Sequence, residues 1–273
     1  MDRPRLIISE GYNLHLEIVS EILEFTIKNE KKSYTRKEIS EEIGYGERMV
    51  KSVMNFGIAM GIIKKRTYTP TKLGEIIHRY DPFITDPGTL WVLHYVSSSN
   101  PQLLIWNKLF NSILYKSQDG ELSTLINQFD EISEFVSENT LKKNLRGELS
   151  SVLNAYCEQE FRKVGIISKD DNEYFWYKNQ PINEMIFLSL IYWYKEMFHA
   201  NISTIDIDFL LKEKNSPGRI CLFELSYMRK ILEKLGNNKL ITLETRADLD
   251  QVRFRDNFNF YNVLELYYGG QHA

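Results

Sequence analysis

The residues to weigh first are those whose types could do chemistry. His94 stands one helical turn after Trp91 in TLWVLHY, Asp81 and Asp86 precede that run, and Cys157 and Cys221 lie in separate segments. Acid–base or nucleophilic catalysis needs a second group within hydrogen-bond reach of the first, and the sequence sets none beside these. A lone histidine on an apolar helix reads as a core residue satisfied by one hydrogen bond. Asp86 reads as an anion at the start of the helix that follows it, where the helix dipole favours negative charge. Cys157 lies next to aromatics and reads as core. Cys221 follows the run SPGR near a helix start, a position that lowers a thiol pKa. DDNE at 170–173 has the composition of a metal cluster but the setting of a hairpin turn. There is no GK[ST] phosphate loop and no acid–lysine cluster of the kind a metal nuclease uses. The expectation is a protein that is not an enzyme, with no cofactor and no metal site.

The residues that suggest a task are basic. TRKEISEEIGYGERMVKSVMNFGIAMGII, residues 35–63, reads as a short helix, a Gly-bounded turn and a second helix, the plan of a helix-turn-helix. Ile39, Ile43, Val50, Val53 and Met54 would face inward. Arg48, Lys51, Ser52 and Asn55 would be left on the outer face, with side chains able to reach phosphates or base edges. Lys64, Lys65 and Arg66 follow in a short β-prone turn, where a winged helix carries its wing. Residues 46–80 hold seven Lys or Arg against two acids, a local excess that the chain's net charge of -3 conceals. The acidic helix before the turn, with Glu38, Glu41 and Glu42, would oppose DNA if it faced the same way. The same module also serves elsewhere as a protein-docking surface, so the fold alone does not choose between the two.

These elements need a body to hold them, and 273 residues with 43% apolar content supply one. The periodicity predicts helices at 15–29, 35–44, 47–60 and 70–78, then two strongly apolar helices at 85–95 and 102–114. Residues 119–159 are acidic and helical in pattern, 165–177 read as a β-hairpin, and 182–198 as a buried helix. Residues 205–212, the loop SPGR, a helix at 222–235, strands at 239–245 and 251–255 joined by RADLD, and a helix at 258–268 repeat the plan of the N-terminus. A second set of DNA contacts, Arg219, Arg229, Arg246 and Arg253, would lie there, although Glu233, Glu244, Asp248 and Asp250 interleave. The aromatic runs EYFWYK and IYWYKEMF alternate or recur at helical spacing and read as core or protein interface. The fold class is thus mainly α: an N-terminal winged helix-turn-helix at 1–82, a helical middle at 83–200 with a hairpin near 165–177, and a winged-helix-like region at 201–273 with short β-hairpins.

Several runs resemble a known family. Gly44 and Gly46 before Met49-Val50, the segment from Thr69 or Thr71 to Gly74-Glu75, and Asp86, Pro87, Thr89, Leu90, Trp91, Leu93 and His94 are similar to motifs of bacterial domain-of-unknown-function family four thousand and seven. Phe110-Asn111, the run SPGR at 216–219 and the pair Tyr267-Tyr268 add to the resemblance, which spans most of the chain. The chain departs from the pattern at Glu47-Arg48, where members often carry Lys-Asn. The resemblance implies a role beside sulfotransfer enzymes, in gene islands that place phosphorothioate on DNA or defend against phage.

Two cysteines without CxxC spacing fit a reducing cytoplasm. The N-terminus lacks the apolar core of a signal peptide, and the most apolar run is too short to span a bilayer. The expected partners are double-stranded DNA and proteins of a modification or defence system, with no membrane. A homodimer would suit a two-fold duplex. The expected function is a cytoplasmic DNA-binding accessory or regulator of such a system, and the alternative is a non-catalytic protein-interaction adaptor within it.

Overall fold

A computed structural model describes residues 4–116, 119–246 and 249–271. The chain divides into two compact units, Met1–Trp176 and Tyr177–Ala273. It is mainly helical, with one small three-stranded antiparallel sheet in each unit. Among the described residues no helix is long and apolar enough to cross a membrane.

The first unit opens with α1 (Leu16–Asn29), α2 (Arg36–Ile43), α3 (Glu47–Ala59) and α4 (Lys72–Tyr80), with α2, α3 and α4 all packed on α1. Sequence chemistry sets the boundaries. Thr35 and Glu38 form a capping box that satisfies two amide groups at the start of α2. Gly44, at φ 76°, ends it in a left-handed turn that costs glycine little. Ile39, Val50, Val53 and Met54 are buried as their spacing requires. The approach of α4 is close. A Cβ on Gly74 would lie 2.3 Å from the Ile62 carbonyl oxygen, so only glycine fits there.

The segment after α3 differs from expectation. In place of a strand pair there is one antiparallel bridge, Ile63 to Pro70, around a tight turn. The Tyr68 amide donates back to the Lys64 carbonyl at 3.0 Å, which curls the chain and leaves no room for a ladder.

The body of the first unit is built on α5 (Pro87–Ser99), buried from Gly88 to Ser99. Buried on every side, it carries apolar residues around its whole circumference, with Thr89, His94, Ser97, Ser98 and Ser99 as its buried polar groups. Next come α6 (Leu104–Lys108), a π-helical turn Leu109–Ile113 and α7 (Leu114–Lys116). Then follow β1 (Asp119–Glu121), α8 (Leu122–Asn127) and α9 (Glu138–Cys157). The hairpin predicted at 165–177 is present as β2 (Ile167–Asp170) and β3 (Glu173–Trp176), with Asp171 and Asn172 at its turn. β1 adds a third strand, pairing Asp119 with Phe175 in the order β1-β3-β2. Asp-Gly-Glu carries no alternating apolar signal, so nothing in its residues announces a strand.

The second unit begins at Tyr177, earlier than the boundary at 200 that the sequence suggests, because α10 (Glu184–Phe198) packs within it. β4 (Thr204–Asp206), α11 (Ile207–Lys212), α12 (Pro217–Ile220), α13 (Leu225–Asn237), β5 (Thr242–Arg246), β6 (Leu249–Arg253) and α14 (Phe260–Gln271) follow. β4 pairs with β6, so the strand order is β4-β6-β5. The expected SPGR loop is instead the start of the short helix α12. Gly218 lets it approach, since a Cβ there would lie 2.8 Å from the Leu210 carbonyl oxygen. Ala247 and Asp248 of the expected RADLD turn lie outside the described residues.

Gly74→Ala is expected to destabilise the protein by about 1–3 kcal/mol, the cost of overpacking. Gly147, exposed in mid-α9 with no atom within 4 Å of an added Cβ, is the matched control. Gly147→Ala should stabilise by roughly 0.5–1 kcal/mol, and urea titration of both variants checks the contrast. The Glu38 carboxyl is held down from 4.5 to about 2, first by the Thr35 backbone amide. A depressed carboxylate pKa stabilises in full above its unfolded value and is lost as pH falls through the folded one. Glu38→Gln should therefore lower the melting temperature relative to the parent at neutral pH, and the gap should close by about pH 2.

Candidate nucleic-acid interface

The loop after α3 is a fixed platform. Lys64 N donates to Thr69 O at 2.8 Å, and the hydroxyls of Thr67 and Thr69 lie 2.8 Å apart. Thr71 Oγ1 donates to Gly61 O at 2.6 Å. Tyr34 N, just before α2, donates to Thr67 O at 2.9 Å, which fastens the loop to the α1–α2 connection. Tyr68 is held at φ 55°, a backbone region unfavourable for a bulky residue. The Arg36 guanidinium lies 5.9 Å from the Tyr68 ring centre, and its Nε donates to the phenolic oxygen at 3.3 Å. Lys64, Lys65 and Arg66 are all exposed on this platform. A shallow groove beside it is lined by Lys31, Lys32 and Lys64 together with Glu30 and Glu75.

The outer face of α3 is not open as the sequence suggests. Arg48 is exposed, but Ser52 is fully buried and its hydroxyl donates to Ser9 O at 2.6 Å. Asn55 Nδ2 donates to Ile8 O at 3.2 Å, and Lys51 Nζ pairs with Glu10 at 2.6 Å. The N-terminal segment therefore covers three of the four residues expected to reach a groove. That segment is itself fastened. The buried Glu148 carboxylate accepts from the amides of Ile8 at 2.9 Å and Ser9 at 2.8 Å. Leu6, Ile8 and Leu14 are buried, and Arg5 forms a parallel bridge with Leu103. Ser52 and Asn55 are lock pieces between the segment and α3, a role that helical periodicity cannot show because it does not register a distant strand of chain.

In the second unit the expected cations are mostly held by neighbours. Arg229 makes a bidentate pair with Asp250, whose hydrogen bond raises the guanidinium pKa further. Arg253 does the same with Glu244, at 2.5 and 3.2 Å. Arg219 donates to Lys212 O at 2.5 Å. Arg246 is exposed on β5. Two of the interleaved acids that the sequence displays, Glu244 and Asp250, thus meet their cations in space.

The groups weighed for catalysis sit in structural roles. His94 is fully buried, with Nδ1 2.6 Å from the Tyr156 hydroxyl, which also accepts from Trp106 Nε1 at 3.2 Å. Asp86 caps α5 by accepting from Thr89 N at 3.0 Å. Asp81 accepts from the amides of Thr85 and Asp86 at 3.0 and 2.9 Å. Burial pushes the Cys157 thiol up to about 11. It also pushes Cys221 up, opposite to the lowering expected from a helix start, because that thiol is wholly enclosed. Among the described residues no three His, Cys, Asp or Glu side chains gather as a group that could hold a metal ion.

The chain belongs to the family described as "Protein of unknown function (DUF4007)", which matches residues 23–268. Its fold is similar to two solved structures, magnesium ion-bound SspB and SspB. Each has a TM-score of 0.80 over 97% of this chain and 88% of the other, at 14% and 15% identity respectively. Such identities speak for the fold alone. No curated protein matches.

Removing the carboxylate that fastens the N-terminal segment should free it. Glu148→Ala leaves two buried amides without an acceptor, at about 1–3 kcal/mol each. The expected result is rapid tryptic cleavage after Arg5 while the rest of the chain stays resistant. Cleavage at the parent rate would show that the segment is held without Glu148.

Proposed function

We propose, taking as premise a DUF4007 chain with an SspB-like fold, that this protein is a DNA-binding accessory or regulatory component of a bacterial DNA phosphorothioation or phage-defence system. The observation that carries the reading is the platform after α3: Lys64, Lys65 and Arg66 are consecutive, exposed and preorganised. Fixed cations lose little freedom when they meet phosphate, and binding to phosphate releases condensed counterions.

The winged-helix reading of each unit has support of its own. In the first, α1 to α3 precede a small bridged turn, with Tyr34 paired to that turn as a first strand would be. In the second, α10, β4, α11 to α13 and the β5–β6 hairpin, in the order β4-β6-β5, follow a winged helix's sequence of elements. The system rests on the family resemblance and on the likeness to SspB.

A protein-docking adaptor in the same system is the second reading. Phe209, Leu225 and Leu249 favour it, since each of these large apolar side chains in the second unit is about half exposed.

Fluorescence anisotropy with a mixed-sequence duplex at two salt concentrations tests the first reading, with the parent and a K64E/K65E/R66E variant. Affinity should fall with salt, and the variant should bind at least tenfold more weakly with a log–log salt slope reduced by about 2 to 3. Absence of binding by the parent at low salt would leave the adaptor. Cutting of supercoiled plasmid in magnesium would replace the accessory role by an enzymatic one.

A further inference from the structure

Resting on the DNA reading, we infer that the phosphate-binding surface of the first unit is composite and blind to sequence. Lys32 and Arg36, from the α1–α2 connection and the first turn of α2, act with Lys64, Lys65 and Arg66, while the cover over α3 withholds Lys51, Ser52 and Asn55 from base edges and leaves Arg48 exposed. The partner is the sugar-phosphate backbone of a duplex.

Three observations carry this. First, two loops far apart in sequence are joined by backbone: Tyr34 N to Thr67 O at 2.9 Å makes the Lys31-Lys32 corner and the Lys64–Arg66 corner one surface. Second, Arg36 is exposed and laid along the Tyr68 ring, which directs its guanidinium beside the loop cations. An arginine held through its Nε keeps its terminal donors for phosphate. Third, the nearby acids are few or engaged. Glu38 is occupied by Thr35 N at 2.7 Å, by Thr35 Oγ1 at 2.8 Å and by Lys31 at 3.2 Å. Glu30 and Glu75 face the groove, against Lys31, Lys32 and Lys64 there and Lys65, Arg66 and Arg36 beside it. Phosphate contacts position a protein on a duplex without reading its sequence. Of the four α3 side chains expected to reach bases, Ser52 and Asn55 are spent on Ser9 and Ile8 and Lys51 pairs with Glu10, which leaves a single exposed arginine, Arg48, too little to read a sequence.

The outcomes are separated by the parent, R36A, Asn55→Ala, K32E/R36E, K64E/K65E/R66E and K142E/K143E. The last reverses two exposed α9 lysines and changes net charge as much as the first pair does. K32E/R36E should weaken duplex binding about tenfold or more and lower the salt slope by about 2, while K142E/K143E leaves the slope unchanged. Unrelated duplexes should compete within about threefold of one another. R36A, which keeps Lys32, should lose part of the affinity and controls for misfolding in the charge reversal. If K32E/R36E and R36A bind like the parent while the loop variant fails, the composite surface is wrong and the DNA reading survives. If one duplex is strongly preferred and Asn55→Ala abolishes the preference, the withheld helix is wrong. If the parent binds no duplex, both readings fall together.

Discussion

The arrangement of the first unit hangs on one buried carboxylate. Glu148 places a polar carboxyl group in a site with almost no solvent, and two amides converge on it to satisfy its oxygen. Those amides belong to Ile8 and Ser9, so the carboxylate decides the path of the N-terminal segment. The path in turn decides what α3 presents, because Ser9 and Ile8 offer their carbonyls to Ser52 and Asn55. A surface property of one helix is thus set by an acid on another helix far along the chain.

Much of the scaffold could be read from residues alone. The capping box at Thr35, the left-handed stop at Gly44, the buried face of α3 and the hairpin after Gly165 all follow from local rules, and local rules act within a few residues. What escaped the reading was non-local. β1 is three polar residues recruited by the edge of β3. The loop after α3 curls through a single bridge rather than a ladder. The cover over α3 depends on Glu148, whose neighbours in sequence give no hint of its partners. Among the basic residues, type and spacing located the Lys64–Arg66 platform. They could not show that Arg229 and Arg253 are matched by acids across a fold, nor that Arg36 is brought to the platform by Tyr68.

Many of the residues that mark the family lie away from the basic surface. Trp91, His94, Phe110 and Asn111 are buried in the helical body, and Gly74 and Gly218 permit close backbone approach. Such residues preserve a fold. Function on a scaffold of this kind resides in the loops it displays, which leaves the exposed cations free to differ where the packing residues cannot.

The cover over α3 also sets an order of events in time. Ile8 meets its carboxylate acceptor 140 residues later in the chain. At about 5–20 residues per second of synthesis, α3 leaves the ribosome roughly 4–18 seconds before Glu148 does. For that interval the nascent chain carries a bare helix with its serine and asparagine turned outward. The finished protein engages Ser52 and Asn55 with the N-terminal segment, and any chaperone or nucleic acid that meets those two side chains free must do so before translation has passed α9.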